Sequence, residues 1–146
     1  MMTRVDFHSK VADKIGYACR LVRKARAADC RVVIVTDGAA QLQVLDEALW
    51  TFSELDFLPH AKAEDAIAAQ TPIILATNAD NALPHHQILI NLSSETPVHF
   101  TQFERMLEIV SAEPADAAAG RERYRYYQQQ GYPLTHFVAD KVANKI

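Results

Sequence analysis

The stretch Arg31–Trp50, RVVIVTDGAAQLQVLDEALW, decides how this chain is read. RVVIVT is a near-continuous β-branched run, which is what a strand covered on both faces requires. DGAAQLQVLDEALW then sets Leu42, Leu45 and Leu49 at spacings of three and four, the apolar stripe of a helix with one buried face. A buried strand running into an amphipathic helix is a building block of sheet-and-helix domains, and the flanking sequence repeats it.

Upstream, TRVDFH is short and alternating, as a first strand would be. SKVADKIGYACRLVRKARAADC follows with Val11, Ile15, Ala18, Cys19, Val22 and Ala25 at helical spacing, and Ser9 is the expected N-cap. On this reading Lys10, Lys14, Arg20, Arg23, Lys24 and Arg26 all lie on the first helix. Downstream, TPIILAT and HQILINL are two more short apolar runs bounded by Pro and Asn. The expected fold is therefore α/β: a single domain over residues 1–146, with a mainly parallel sheet flanked by helices. FERMLEIV stays open on periodicity alone, since Phe103, Met106, Leu107 and Val110 fit a helix while Phe103, Arg105, Leu107 and Ile109 alternate as a strand would. The last clear element is PADAAAGRERYRYYQQQG, a helix started by Pro114 and Asp116 and closed by Gly131.

Composition narrows the function classes. A chain of 146 residues, 49% hydrophobic and 23% charged, removes roughly 68–70% of its unfolded surface from water and needs no staples. Cys19 and Cys30 sit at apolar or strand-leading positions and read as reduced packing residues of a cytosolic protein. No apolar run reaches the ~18 residues of a spanning helix or the ~7–15 of a signal core, so a soluble, cytoplasmic protein without membrane contact is expected. A net charge of −3 argues against broad binding to a nucleic-acid backbone, which depends on many cations displacing counterions.

The turns lack cofactor and catalytic chemistry. VTDGAAQ offers Gly38 alone, whereas a pyrophosphate needs several glycines and a Walker loop also needs Lys followed by Ser or Thr. His85 and His86 are adjacent and would point apart, so no metal is expected. The pairs Asp46–Glu47, Glu54–Asp56 and Glu64–Asp65 read as solvated faces, no serine has a nucleophile elbow, and neither cysteine is near an evident base. No cofactor and no intrinsic activity are expected.

The late helix offers more. Ala117, Arg121, Tyr124, Arg125 and Gln128 share one face at spacings of three and four, combining two guanidiniums with a phenol. Such a face can pair a carboxylate while an aromatic group docks alongside, holding a short acidic and apolar peptide tail. The plain alternative is an exposed helix with its tyrosines half buried on the sheet. A stacking platform for single-stranded nucleic acid is the third reading, weakened by the acidic total.

LDEALWTFSELDFLPH, ILINL followed by FERMLEIV, and RERYRYYQQQGYPL occur in an order and spacing that resembles the chi subunit family of the bacterial DNA polymerase III holoenzyme, from VDFH to GYPLTH. The resemblance implies a non-catalytic accessory subunit of the clamp-loader assembly, with a nucleotide-binding-like fold that binds no nucleotide. It implies two partners, the psi subunit and the acidic C-terminal tail of single-stranded DNA-binding protein, and no direct nucleic-acid contact. It also favours the strand reading of ERMLEIV. By its motifs, Trp50, Phe57 and Pro59 match the psi-binding surface, an aromatic set beside a proline-stiffened loop, and Leu58 is grouped with them. Phe52 and Leu58 are also expected to pack on the core. Arg121 and Tyr124 match the tail-binding site, and Arg125 matches a basic position there. Ala117 and Gln128 stand where the family carries basic residues, which implies either a less positive pocket that binds more weakly or recruitment of Arg123 or Lys141 in their place. Whether a helicase competes for the Trp50/Phe57 surface is left open. The alternative function is a small doubly wound nucleotide-binding protein or enzyme, which rests on architecture alone.

Overall fold

A computed structural model describes residues 2–51, 58–80 and 82–139. Among the described residues seven strands form one sheet, with all pairings parallel, in the order β3-β4-β2-β5-β6-β1-β7. The strands are β1 (Arg4–Val11), β2 (Val32–Thr36), β3 (His60–Lys62), β4 (Ile73–Thr77), β5 (Ile88–Asn91), β6 (Arg105–Ser111) and β7 (Leu134–Val138). Three α-helices among the described residues join them: α1 (Lys14–Ala27), α2 (Ala39–Thr51) and α3 (Pro114–Gln129). The expected α/β class holds.

The sheet divides the core into two layers because its central strands are apolar on both faces. Val32, Ile34, Ile73 and Leu75 pack against Tyr17, Ala18 and Val22 of α1 and Leu42, Leu45 and Leu49 of α2. On the other face Val33, Val35, Ile74, Leu89 and Met106 pack with Phe7, Phe100, Phe103 and Tyr127 of α3. FERMLEIV resolves as a strand, since Arg105–Ser111 pairs with both β5 and β1.

Two local expectations need correction, and two strands were not foreseen. Ser9 does not cap α1: β1 keeps pairing as far as Val11↔Ser111, so the chain turns only at Asp13, whose carboxylate accepts from the Gly16 amide at 3.1 Å. Lys10 accordingly belongs to β1 and not to the first helix. β3 and β7, the two edge strands, had no apolar run to announce them.

The start of α3 is fixed on several sides. Glu113 caps it through the amides of Ala115 and Asp116. Asp116 accepts from the Ser111 amide at 2.7 Å and pairs with Lys14 Nζ at 3.2 Å, and that ammonium also donates to the Leu92 carbonyl at 2.8 Å. Gly131 ends the segment with φ +82°, a conformation glycine adopts freely.

Candidate functional site

α3 is amphipathic in an unusual sense, with two arginines two residues apart that face different environments. Arg123 points into the interior, 4% exposed. Its Nε donates to Glu108 Oε2 at 3.1 Å and its Nη1 to the Ser94 carbonyl at 2.9 Å. Tyr127 Oη donates to the same Glu108 oxygen at 2.6 Å, and Asn91 Nδ2 to the other at 2.8 Å. Burial pushes the Glu108 carboxyl up, against the opposing pull of Arg123, Tyr127 and Asn91. The alternative in which Arg123 stands in for a missing basic group is thus corrected, because its guanidinium is committed to a buried carboxylate. Lys141 lies outside the described residues.

Arg121 is exposed and makes no hydrogen bond or ion pair among the described residues. It lines a cleft of about 670 Å³ between α3, the ends of β1 and β6, and β7, together with Ala117, Tyr124 and Arg125. Phe7, Val110 and Gly120 are its apolar lining, Lys10 and His136 are added polar groups, and no lining residue is acidic. Gly120 brings helix and strand together: a Cβ there would stand 2.8 Å from both γ-methyls of Val110. Tyr124 is held edge-on to Phe7, ring centroids 5.0 Å apart, and lies 6.3 Å from the His136 ring. Arg125 is exposed and pairs with Glu122 at 2.8 Å, an interaction weak enough in water to be exchanged. Ala117 lines the cleft, while Gln128 does not. Four of the five positions read as one helix face are therefore brought together. Phe7, Lys10 and His136 were not foreseen, being far away in sequence; Gly120, a glycine inside a helix, was the one available signal.

The second surface lies at the other edge of the sheet, at the end of α2 and the start of β3. Trp50 is 54% exposed, its ring centroid 4.3 Å from that of buried His60. His60 Nδ1 donates to the Leu58 carbonyl at 2.7 Å, and Nε2 lies 3.1 Å from Asp46 Oδ1 without making a hydrogen bond. These contacts tie β3 to α2 beneath the indole. Pro59 is half buried. Leu58 is 5% exposed within the core layer of α1 and α2, as expected of a packing residue, so it supports the surface from below and offers a partner little area. Phe52 and Phe57 lie outside the described residues, as do Glu54 and Asp56. From β3 to β1 is five strand intervals, about 24 Å at ~4.8 Å each.

A second cleft of about 700 Å³ opens at the carboxyl ends of β2 and β4, where α/β sheets often hold nucleotides. Asp37, Glu64 and Asp80 line it, and Lys62 is its single Lys or Arg, a charge balance unsuited to phosphates. Among the described residues no three metal-ligating side chains cluster, and no helix is long and apolar enough to cross a membrane. Cys19 is buried and its thiol is pushed up to about 11, mainly by burial, while Cys30 is partly exposed; both are unpaired thiols.

Residues 2–135 match the family described as DNA polymerase III chi subunit, HolC. DNA polymerase III subunit chi of Pseudomonas aeruginosa is 37% identical over 137 residues, covering 91% of this chain and 94% of that protein. The protein of the same name from Haemophilus influenzae is 30% identical over 118 residues, 81% of this chain and 82% of the relative. That of Escherichia coli K12 is 28% identical over 132 residues, 90% and 88% of the two chains. Matched over nearly its whole length by the family and by these relatives, the chain belongs to the DNA polymerase III chi subunit family.

Proposed function

We propose that the chain acts in DNA replication as a non-catalytic bridge, holding the acidic C-terminal tail of single-stranded DNA-binding protein in the α3 cleft and the psi subunit on the Trp50 surface. Membership of the chi family supports a role as an accessory subunit of DNA polymerase III. The observation that carries the finer reading is Arg121, an uncommitted guanidinium on the rim of an apolar cleft that no carboxylate lines.

The chemistry follows from that arrangement. Arg121 offers a planar fork that can hold a terminal carboxylate through two parallel N–H···O bonds. The last apolar side chain of the peptide lies against Phe7 and Val110, where Gly120 leaves room, with Tyr124 as an aromatic wall. Arg125 exchanges Glu122 for an acidic residue of the tail. At the far edge, Trp50 beside Pro59 supplies a rigid aromatic anchor of the kind that dominates partner-helix interfaces, with Phe57 assigned there by its motif.

Titration of the protein with a fluorescent copy of the tail tests the reading. Saturable binding, weakened by salt and lost when the terminal carboxylate is amidated, is expected. Arg121→Ala is expected to weaken it without unfolding the domain. Equal affinity for the acid and the amide would remove the cleft from the proposal.

A further inference from the structure

We infer that Lys10, carried on a bulge of β1, is a second anion-binding group of the α3 cleft and takes an acidic side chain of the peptide whose terminal carboxylate Arg121 holds. The inference rests on the tail-binding reading and extends it to a residue with no place in that motif.

The bulge decides where Lys10 goes. Successive side chains of a strand point to opposite faces. Phe7 faces α3, packing on Tyr124, while His8 faces α1, with Nδ1 2.6 Å from Tyr17 Oη. Strict alternation would return Ser9 to the α3 face and send Lys10 to the α1 face beside His8. Instead the β1–β6 register slips between His8 and Val11, which pair with Ile109 and Ser111. Lys10 takes up φ +57° there, and both Ser9 and Lys10 line the α3 cleft. Val11 then packs in the α1 layer, out of phase with Phe7, as one inserted residue requires. A long side chain in the left-handed region is strained, and such residues persist where the surrounding structure fixes them, often at binding sites.

Lys10 is also uncommitted. Neighbouring cations are engaged: Lys14 by Asp116, Arg123 by Glu108, Arg125 by Glu122. Lys10 is exposed and makes no ion pair among the described residues. Among the described residues the cleft therefore presents two cations free of any ion pair, Arg121 from α3 and Lys10 from β1, beside the exchangeable Arg125, and a ligand that engages both free ones carries a terminal carboxylate and an acidic side chain upstream.

Two labelled peptides test this, one acidic upstream of its apolar C-terminal residue and one with each Asp replaced by Asn, both with a free carboxylate. Glycine accepts φ +57° without strain, so Lys10→Gly keeps the fold and its thermal midpoint does not fall. It is expected to weaken the acidic peptide about two- to five-fold, the range of a solvent-accessible ion pair, and to leave the Asn copy unchanged. Arg121→Ala is expected to weaken both. If Arg121→Ala weakens both and Lys10→Gly weakens neither, or both equally, the Lys10 assignment is overturned while the cleft stands. If Arg121→Ala changes neither affinity, the tail-binding reading fails and takes this inference with it.

Discussion

Arg121 and Arg123 stand two residues apart on one helix, and replacing each should have opposite consequences. Arg123→Met removes the countercharge of Glu108, a carboxylate with no exposed surface, and also a donor to the Ser94 carbonyl. Breaking a buried pair from one side typically costs about 3–5 kcal/mol, because a charge is left without compensation. Against a total stability of about 5–15 kcal/mol that is a large loss. With a urea slope of about 2 kcal/mol/M, it moves the unfolding midpoint down by roughly 2 M. Burial already pushes the Glu108 carboxyl up, and without Arg123 it rises further. The native variant then holds a proton that the unfolded chain releases, so its deficit grows with rising pH and shrinks on acidification. Glu108→Gln in the Arg123→Met background should recover part of the loss, since the orphaned charge is gone. Arg121→Ala should stay within about 0.5 kcal/mol of the parent. Urea unfolding of the variants at two pH values reads all of this. A deficit below about 1 kcal/mol for Arg123→Met, or a comparable deficit for Arg121→Ala, would refute the division of labour along α3.

Gly120→Ala drives a methyl into Val110, which should outweigh the ~1 kcal/mol that alanine gains in helix propensity and leave a net loss of about 1 kcal/mol; combined with Val110→Ala, which carries its own burial cost, the two losses should sum to less than their separate values, and strict additivity in urea unfolding would deny the close approach. His8 is pushed down from 6.5 to about 4, first by burial and then by Arg105, Lys24 and His136, against Asp6. The unfolded chain therefore takes up that proton first, and stability should fall by up to about 3 kcal/mol as pH drops from 6.5 to 4; a His8→Gln variant with an equally steep acid limb would contradict this. Trp50→Ala should cost the fold about 1 kcal/mol or less, since the indole is half exposed, yet abolish capture of the psi subunit in a pull-down. A folded variant that still binds psi would move that interface elsewhere.

The central strands were legible because β2, β4 and β5 are apolar on both faces, and a run such as VVIV has no other economical reading. β3 and β7 were not legible for a physical reason. Each is an edge strand with a single neighbour, and Leu134–Val138 is mostly exposed, so neither needs the apolar run that marks a buried strand. The start of α1 was misplaced because Ser9 and Asp13 are both competent caps, and only the pairing of Val11 with Ser111 decides between them. At the cleft, Arg121, Tyr124 and Arg125 could be grouped because helical spacing is local. That Arg123 turns inward depends on Glu108, an acidic residue between apolar neighbours in β6, whose partners come from another strand and from α3. Lys10 was invisible for the same reason, since a bulge that redirects one side chain leaves no periodic trace.

The bridging claim itself is tested by occupancy of both surfaces at once. The two lie at opposite edges of the sheet, about 24 Å apart by strand count, so filling one should leave the other unchanged. The decisive measurement is titration of the labelled tail peptide into the protein alone and into its purified complex with psi, with the sedimenting species recorded in the same sample. Equal affinity in both, with peptide, this chain and psi sedimenting together, is the predicted result. Release of psi by the peptide, or peptide binding lost in the complex, would contradict the bridge.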